Sequence, residues 1–191
     1  MDLQIIKGEM KMVYVFLADG FEEIEALGTL DLIRRAGIEA LSVSVDGGEF
    51  VRGSHGITVR ADISIDACTE GAEAVVLPGG MPGAENLSLS SKVRELVSQN
   101  FNDGRYIAAI CAAPMVFGKM GLLKGKRATC YPGFEKYLDG AEYTGKSVEV
   151  DGKVITGNGP GAFYGFAYEI IKAIKDQESA DKVLFGGMFN F

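Results

Sequence analysis

The sequence has no tryptophan, one histidine, three cysteines and no long apolar run. Each scarcity removes a class of protein. No stretch approaches the roughly 20 apolar residues that span a bilayer, so no membrane helix is predicted. Residues 1–11 lack the apolar core of a signal peptide and read as an extension ahead of the fold, with Met12 as an alternative start. No Lys/Arg cluster interrupts the formal net charge of -7, which excludes a general nucleic-acid surface. Cys68, Cys111 and Cys130 are odd in number and far apart, against a disulfide framework and for a reducing cytoplasm. None has the spacing of a metal-ligand set, so no metal is expected. The single histidine, His55, lies in a turn-like segment far from Cys111 in sequence and reads as an exposed loop residue.

What is present is a chain of 191 residues with 26 glycines, long enough for one domain with a real core. Short apolar runs alternate with helical patterns. Residues 12–18, 38–45, 73–77 and 105–110 read as buried strands. Residues 22–36 read as an amphipathic helix, with Ile24, Leu27, Leu30 and Ile33 on its apolar face and Gly37 as its stop. Helices are also predicted over 90–101, 114–120, 162–175 and, briefly, 181–185. Residues 50–60 read as two short strands broken at 53–56. Residues 127–130 read as a strand, and Asp151-Gly152 marks a hairpin between 147–150 and 153–156. Strands alternating with helices imply a single α/β domain over 12–191. The expected fold is flavodoxin-like and doubly wound, a mostly parallel sheet covered on both faces. Ligands then bind at the carboxyl ends of the strands.

The organising stretch is Ala108-Ala109-Ile110-Cys111-Ala112-Ala113-Pro114. An apolar strand feeds it, and Pro114 suits the first turn of the helix that follows. Cys111 therefore sits at a strand-to-helix turn, near the positive end of the helix dipole, which favours thiolate. That is the geometry of a nucleophile elbow, with Cys in place of Ser. Free cysteine is equally at home as inert packing, so the stretch alone leaves both readings open. Pro78-Gly79-Gly80 offers backbone N–H groups to an oxyanion, or is a plain loop needing positive φ. Glu22 and Glu23 suit a helix N-terminus. Glu25, one turn in, would meet a thiol if it points back over the strand ends, and burial would raise its pKa for proton transfer. No phosphate loop is present, and Gly157-x-Gly159-x-Gly161 lacks the dinucleotide fingerprint.

Taken together, the motifs at 18–25, 34–37, 76–80, 83–87, 108–114 and 159–161 resemble the DJ-1/ThiJ/PfpI superfamily, most closely its DJ-1 branch, from about Met12 to the last helix. The combination of E-E-x-E, P-G-G and A-x-x-C-A-x-P carries the likeness. The resemblance implies a reactive Cys111, a protonated Glu25 hydrogen-bonded to its sulfur, and N–H groups of Gly79, Gly80 and Ala112 lining the site. It implies Tyr131 and Pro160 as pocket residues, no cofactor, and a homodimer with the first helix near its interface. That branch is associated with glutathione-independent glyoxalase activity on methylglyoxal and glyoxal, with deglycase activity on glycated adducts, and with oxidant sensing through cysteine sulfinate.

The implied chemistry is attack of Cys111 on a 2-oxoaldehyde, proton movement by Glu25, and release of a 2-hydroxy acid. A stress sensor working through oxidation of Cys111 uses the same residues. A peptidase is a third reading, but the peptidase branch carries His after the nucleophile and Ala112 stands there. A second departure is Tyr131, where some DJ-1 relatives have His; tyrosine is a poor base near neutral pH. Cys130 reads as a buried strand-end thiol or a second redox thiol, and Cys68 as loop or core.

Overall fold

A computed structural model describes residues 12–189; the extension expected over 1–11 lies outside them. Eleven strands and six α-helices follow the alternation of the sequence. The strands are β1 (Met12–Leu17), β2 (Glu39–Ser44), β3 (Phe50–Arg52), β4 (Thr58–Arg60), β5 (Ile63–Ser64), β6 (Ala74–Leu77), β7 (Tyr106–Ile110), β8 (Arg127–Ala128), β9 (Glu142–Tyr143), β10 (Val148–Asp151) and β11 (Val154–Gly157). The helices are α1 (Thr29–Arg35), α2 (Gly83–Leu89), α3 (Ser91–Asn102), α4 (Pro114–Lys119), α5 (Phe163–Ile174) and α6 (Gln177–Gly186).

The main sheet runs β10-β11-β7-β6-β1-β2-β5 and is parallel except for β10. From β1 the chain winds outward through β2 to β5, then returns to β6 on the other side of β1. The crevice at that reversal is where doubly wound sheets hold ligands. The central strands are apolar along their whole length because both faces are covered. Helices α1, α5 and α6 pack with one another, and α2 packs on both α3 and α4. Phe16, Phe21, Phe117 and Phe166 are fully buried, each contributing roughly 2–3 kcal/mol of transfer free energy. Gly28 lets α5 approach the first helix, since a Cβ there would lie 2.7 Å from the Phe163 ring.

Several expectations are corrected. The helix expected over 22–36 opens instead with a π-helical turn, Ile24–Gly28. The wider turn shifts the phase of the side chains. Ile24, expected on the apolar face, is 47 % exposed, while Glu25 turns inward. Helix α2 follows the Gly-Gly loop unannounced, because its periodicity is too short to register and its anchors are only Ala84 and Leu87. The strand expected over 127–130 stops at Ala128 and pairs with β9 outside the main sheet. Gly157 is the last residue of β11. Helix α6 starts four residues earlier than expected, where Asp176 accepts the Ser179 N–H at 2.7 Å as N-cap.

Candidate active site

The carboxyl ends of three strands adjacent in the sheet, β1, β6 and β7, build the site. Glu25 follows β1, Gly79 and Gly80 follow β6, and Cys111 follows β7. Cys111 has φ +63°, the left-handed region that side chains rarely adopt. Both neighbouring segments hold it there. Its N–H donates to the Gly157 carbonyl at 2.9 Å, and its carbonyl accepts from the Tyr131 N–H at 2.8 Å. Only 9 % of the residue is exposed.

The glycines set how closely the loops approach. A Cβ at Gly79 would lie 2.5 Å from the Cys111 Cβ and 2.8 Å from Glu25 Oε2. A Cβ at Gly80, where φ is +85°, would lie 2.5 Å from the Glu22 nitrogen. A larger residue at Gly79 would push the thiol and carboxyl apart, and one at Gly80 would push the loop off the backbone of residues 20–22. The Gly79 N–H donates to Glu25 Oε2 at 2.8 Å, so it is committed to the carboxyl rather than open to a substrate oxyanion. The N–H groups of Gly80 and Ala112 hydrogen-bond the Cys111 sulfur.

Glu25 is 1 % exposed, and Oε1 is buried with no nitrogen or oxygen partner among the described residues. Burial pushes its pKa up to about 7, against hydrogen bonds from Gly79 and Cys111, and the Glu22 charge adds to the rise. Burial pushes Cys111 up to about 12, helped by the charge of Glu25 and its hydrogen bond, and opposed by the Gly80 and Ala112 N–H groups. The expectation of a thiolate made by the helix dipole is therefore corrected. Helix α4 has six residues, and the desolvation of Cys111 outweighs its N-terminus. The two groups titrate as one pair. The proton on Glu25 is the first of the two to leave, near pH 7. With that proton on Glu25, the repulsion on the thiolate disappears and the carboxyl donates to the sulfur.

Glu22 and Glu23, read as ordinary helix-start acids, do something else. Glu23 is buried beneath the β3–β4 turn. Its Oε1 accepts from the His55 N–H at 2.8 Å and the Ile57 N–H at 3.3 Å. Its Oε2 lies 3.0 Å from His55 Nδ1 and accepts from Ser54 Oγ at 3.2 Å. His55 Nδ1 is 3.5 Å from Glu22 Oε1. Among the described residues these three come nearest to a metal-ligand set, but the Glu23 oxygens are already occupied by donors of the hairpin, and a histidine proton links the group. His55 is exposed, as expected, and is no partner for Cys111. Burial raises the Glu23 pKa, but the hydrogen bonds from His55 and from the backbone outweigh it and hold the pKa at about 2. The ionised form therefore stabilises the fold above the unfolded pKa near 4.5. That stability is lost as pH falls from there toward 2, and is on the order of 3 kcal/mol. Thermal melts of Glu23→Gln against the unaltered protein should differ most at pH 6 and converge toward pH 3.

Tyr131 is held by its N–H on Cys111, and its ring packs on Gly159, where a Cβ would lie 3.2 Å from Cδ2. Pro160 follows, half-buried, at the start of the turn into α5. Behind them the Thr129 N–H donates to Thr156 Oγ1 at 3.0 Å and Thr129 Oγ1 to the Lys146 carbonyl at 2.8 Å. Sequence reasoning missed these threonines and Gly157, which act through the backbone and leave no chemical signature. Burial pushes Cys130 up to about 12, with the Glu135 charge adding, and Cys68 up to about 11. Neither sits at a turn like that of Cys111.

Fold and site together define a doubly wound α/β protein with a cysteine elbow facing a buried carboxyl. The model of the DJ-1/PfpI family matches residues 11–173, and the chain belongs to that family. It is similar to Protein DJ-1 homolog B of Arabidopsis thaliana, with 38% identity over 91% of this chain and 40% of the relative. It is also similar to a deglycase of Pyrococcus abyssi, with 31% identity over 85% of this chain and 99% of the relative. Among solved structures, oxidized Toxoplasma gondii DJ-1 superposes with a TM-score of 0.89 at 36% identity, covering 94% of this chain and 99% of that one. The chain thus spans less than half the length of the plant relative and nearly all of the archaeal one. No helix among the described residues is long and apolar enough to cross a membrane.

Proposed function

We propose that the protein is a cysteine-dependent glyoxalase or deglycase that acts on reactive 2-oxoaldehydes or their adducts without a cofactor. The observation that carries this reading is the buried Glu25 carboxyl set beside the Cys111 thiol at a left-handed strand-to-helix turn, with Gly79 between them and Gly80 and Ala112 N–H groups at the sulfur. The likeness to a relative named deglycase supports it. The Cys111 thiolate adds to the aldehyde carbon of methylglyoxal, and the resulting oxyanion takes the proton that Glu25 held. Glu25 carboxylate then removes the hydrogen from that carbon, giving an enediol, and returns it to the adjacent former ketone carbon. The product is a lactate thioester of Cys111. Water cleaves it, releasing lactate and the thiol, so the balance is methylglyoxal plus water to lactate. Gly80 and Ala112 stabilise the oxyanions; Tyr131 and Pro160 wall the pocket. Lactate formed from methylglyoxal by the reduced, glutathione-free protein tests the reading, and its absence overturns it.

The partner in this reading, besides the aldehyde, is a second copy of the chain. Ile24 and Ile57, 47 % and 55 % exposed, flank the Glu23 clamp and favour burial against another surface. Ile24→Asp is expected to turn a dimer into a monomer in analytical ultracentrifugation. A monomeric unaltered protein at micromolar concentration would refute the pairing.

A further inference from the structure

The Glu22, Glu23 and His55 group lies outside the chemistry just described, yet it adjoins the π turn that carries Glu25. Glu23 is two residues from Glu25, and Glu22 donates its N–H to Gly79, the residue wedged between Glu25 and Cys111. The hairpin turn therefore connects to the pair by two short covalent and hydrogen-bonded routes. The charges facing the His55 ring are the Glu22 and Glu23 carboxylates before the π turn. On its own hairpin the nearest is Arg52, whose guanidinium lies beside Gly56. The Arg52 N–H is in turn held by Asp19 at 2.8 Å.

We propose that His55 is a positioning residue for the Cys111–Glu25 pair, and that by gaining or losing its proton it sets how tightly the pair holds its own. The sign follows from the charges. Glu22 carboxylate opposes a second negative charge at Glu25. A protonated His55 offsets that carboxylate, so the pair gives up its first proton more readily. A neutral His55 leaves the full repulsion, and the pair keeps the proton to higher pH. Hydrogen bonding to Glu23, with the nearby Glu22 and Glu23 charges, pushes the His55 pKa above its ordinary 6.5. The inference rests on the reading of Cys111 as a nucleophile that shares a proton with Glu25. It does not require any particular substrate.

The test is the pH profile of Cys111 alkylation by iodoacetamide, followed by peptide mass so that Cys68 and Cys130 are separated. His55→Gln, never charged, should move the midpoint up by on the order of half a pH unit, the size of one screened charge near the surface. His55→Arg, always charged, should hold the midpoint at or below that of the unaltered protein. A purely structural clamp would lower the melting temperature in both variants and leave both profiles unmoved, which overturns the proposal. A second measurement needs no change at His55. Because the chain has one histidine, its ring proton resonance reports one titration. Coupling is reciprocal, so the double variant Glu25→Gln with Cys111→Ser, which carries no charge at the pair, should lower the His55 midpoint by the same half unit; an unmoved midpoint refutes the coupling. Alkylation of Cys111 that fails to rise through pH 7 would instead remove the nucleophile reading, and the histidine titration would still decide whether the two groups communicate.

Discussion

Cys111→Ser is expected to lower lactate formation from methylglyoxal by at least ~10³-fold, because a hydroxyl in this position has no base strong enough to ionise it. Glu25 has a pKa raised to about 7, far below that of a serine hydroxyl. A sulfur anion can share one proton with such a carboxyl; an alkoxide cannot. Serine is smaller than cysteine and fits the same left-handed turn, so the fold should be kept and the melting temperature nearly unchanged. The measurement is lactate by enzymatic assay on both proteins at equal concentration, with circular dichroism as the control for folding. A serine variant that keeps its rate would refute Cys111 as the nucleophile.

Glu25→Gln should separate two roles that the carboxyl combines. Glutamine is close in shape to protonated Glu25 and can still accept from the Gly79 N–H while donating to the sulfur. Thiolate formation should therefore persist, and iodoacetamide should still modify Cys111. The proton transfer between adjacent carbons should not persist. Turnover is expected to fall ~10²- to 10⁴-fold, the usual contribution of a positioned acid-base group. The pH profile carries a second signature. The unaltered rate should rise through about pH 7 as the pair loses its first proton, and that rise should vanish in the variant. Stability should move the other way. A carboxyl whose folded pKa is raised loses stability as pH climbs from its unfolded value near 4.5 through 7. Removing it should therefore stabilise the fold at pH 8 by on the order of 3 kcal/mol and raise the melting temperature there. An unchanged rate in Glu25→Gln would rule out the proton shuttle.

These effects depend on a site that was unevenly legible. Cys111 could be read as an elbow because an apolar strand, small residues and Pro114 force a sharp turn there whatever surrounds it. Gly79 and Gly80 could be read as special because adjacent glycines after a strand mark a backbone that other residues cannot follow. Glu25 was legible as the one of three helix-start acids that would meet the thiol, provided that it points back over the strand ends. Its selection depends on the π turn, and a π turn is imposed by packing and not by local propensity. The same turn put Ile24 in solvent against its periodicity. The bond between Glu23 and His55 joins residues 32 apart, and nothing local announces it.

By itself the sequence determined the alternation of strands and helices, and hence a parallel α/β sheet with its loops at one edge. Those features follow from local hydrophobic period and from the rule that parallel strands need crossovers. Only the tertiary structure decided that Glu25 is buried beside Cys111, that the Gly79 N–H belongs to Glu25, and that His55 serves the Glu23 carboxylate. Burial and contact across strands create those pKa values and partners, and both arise only when distant segments meet.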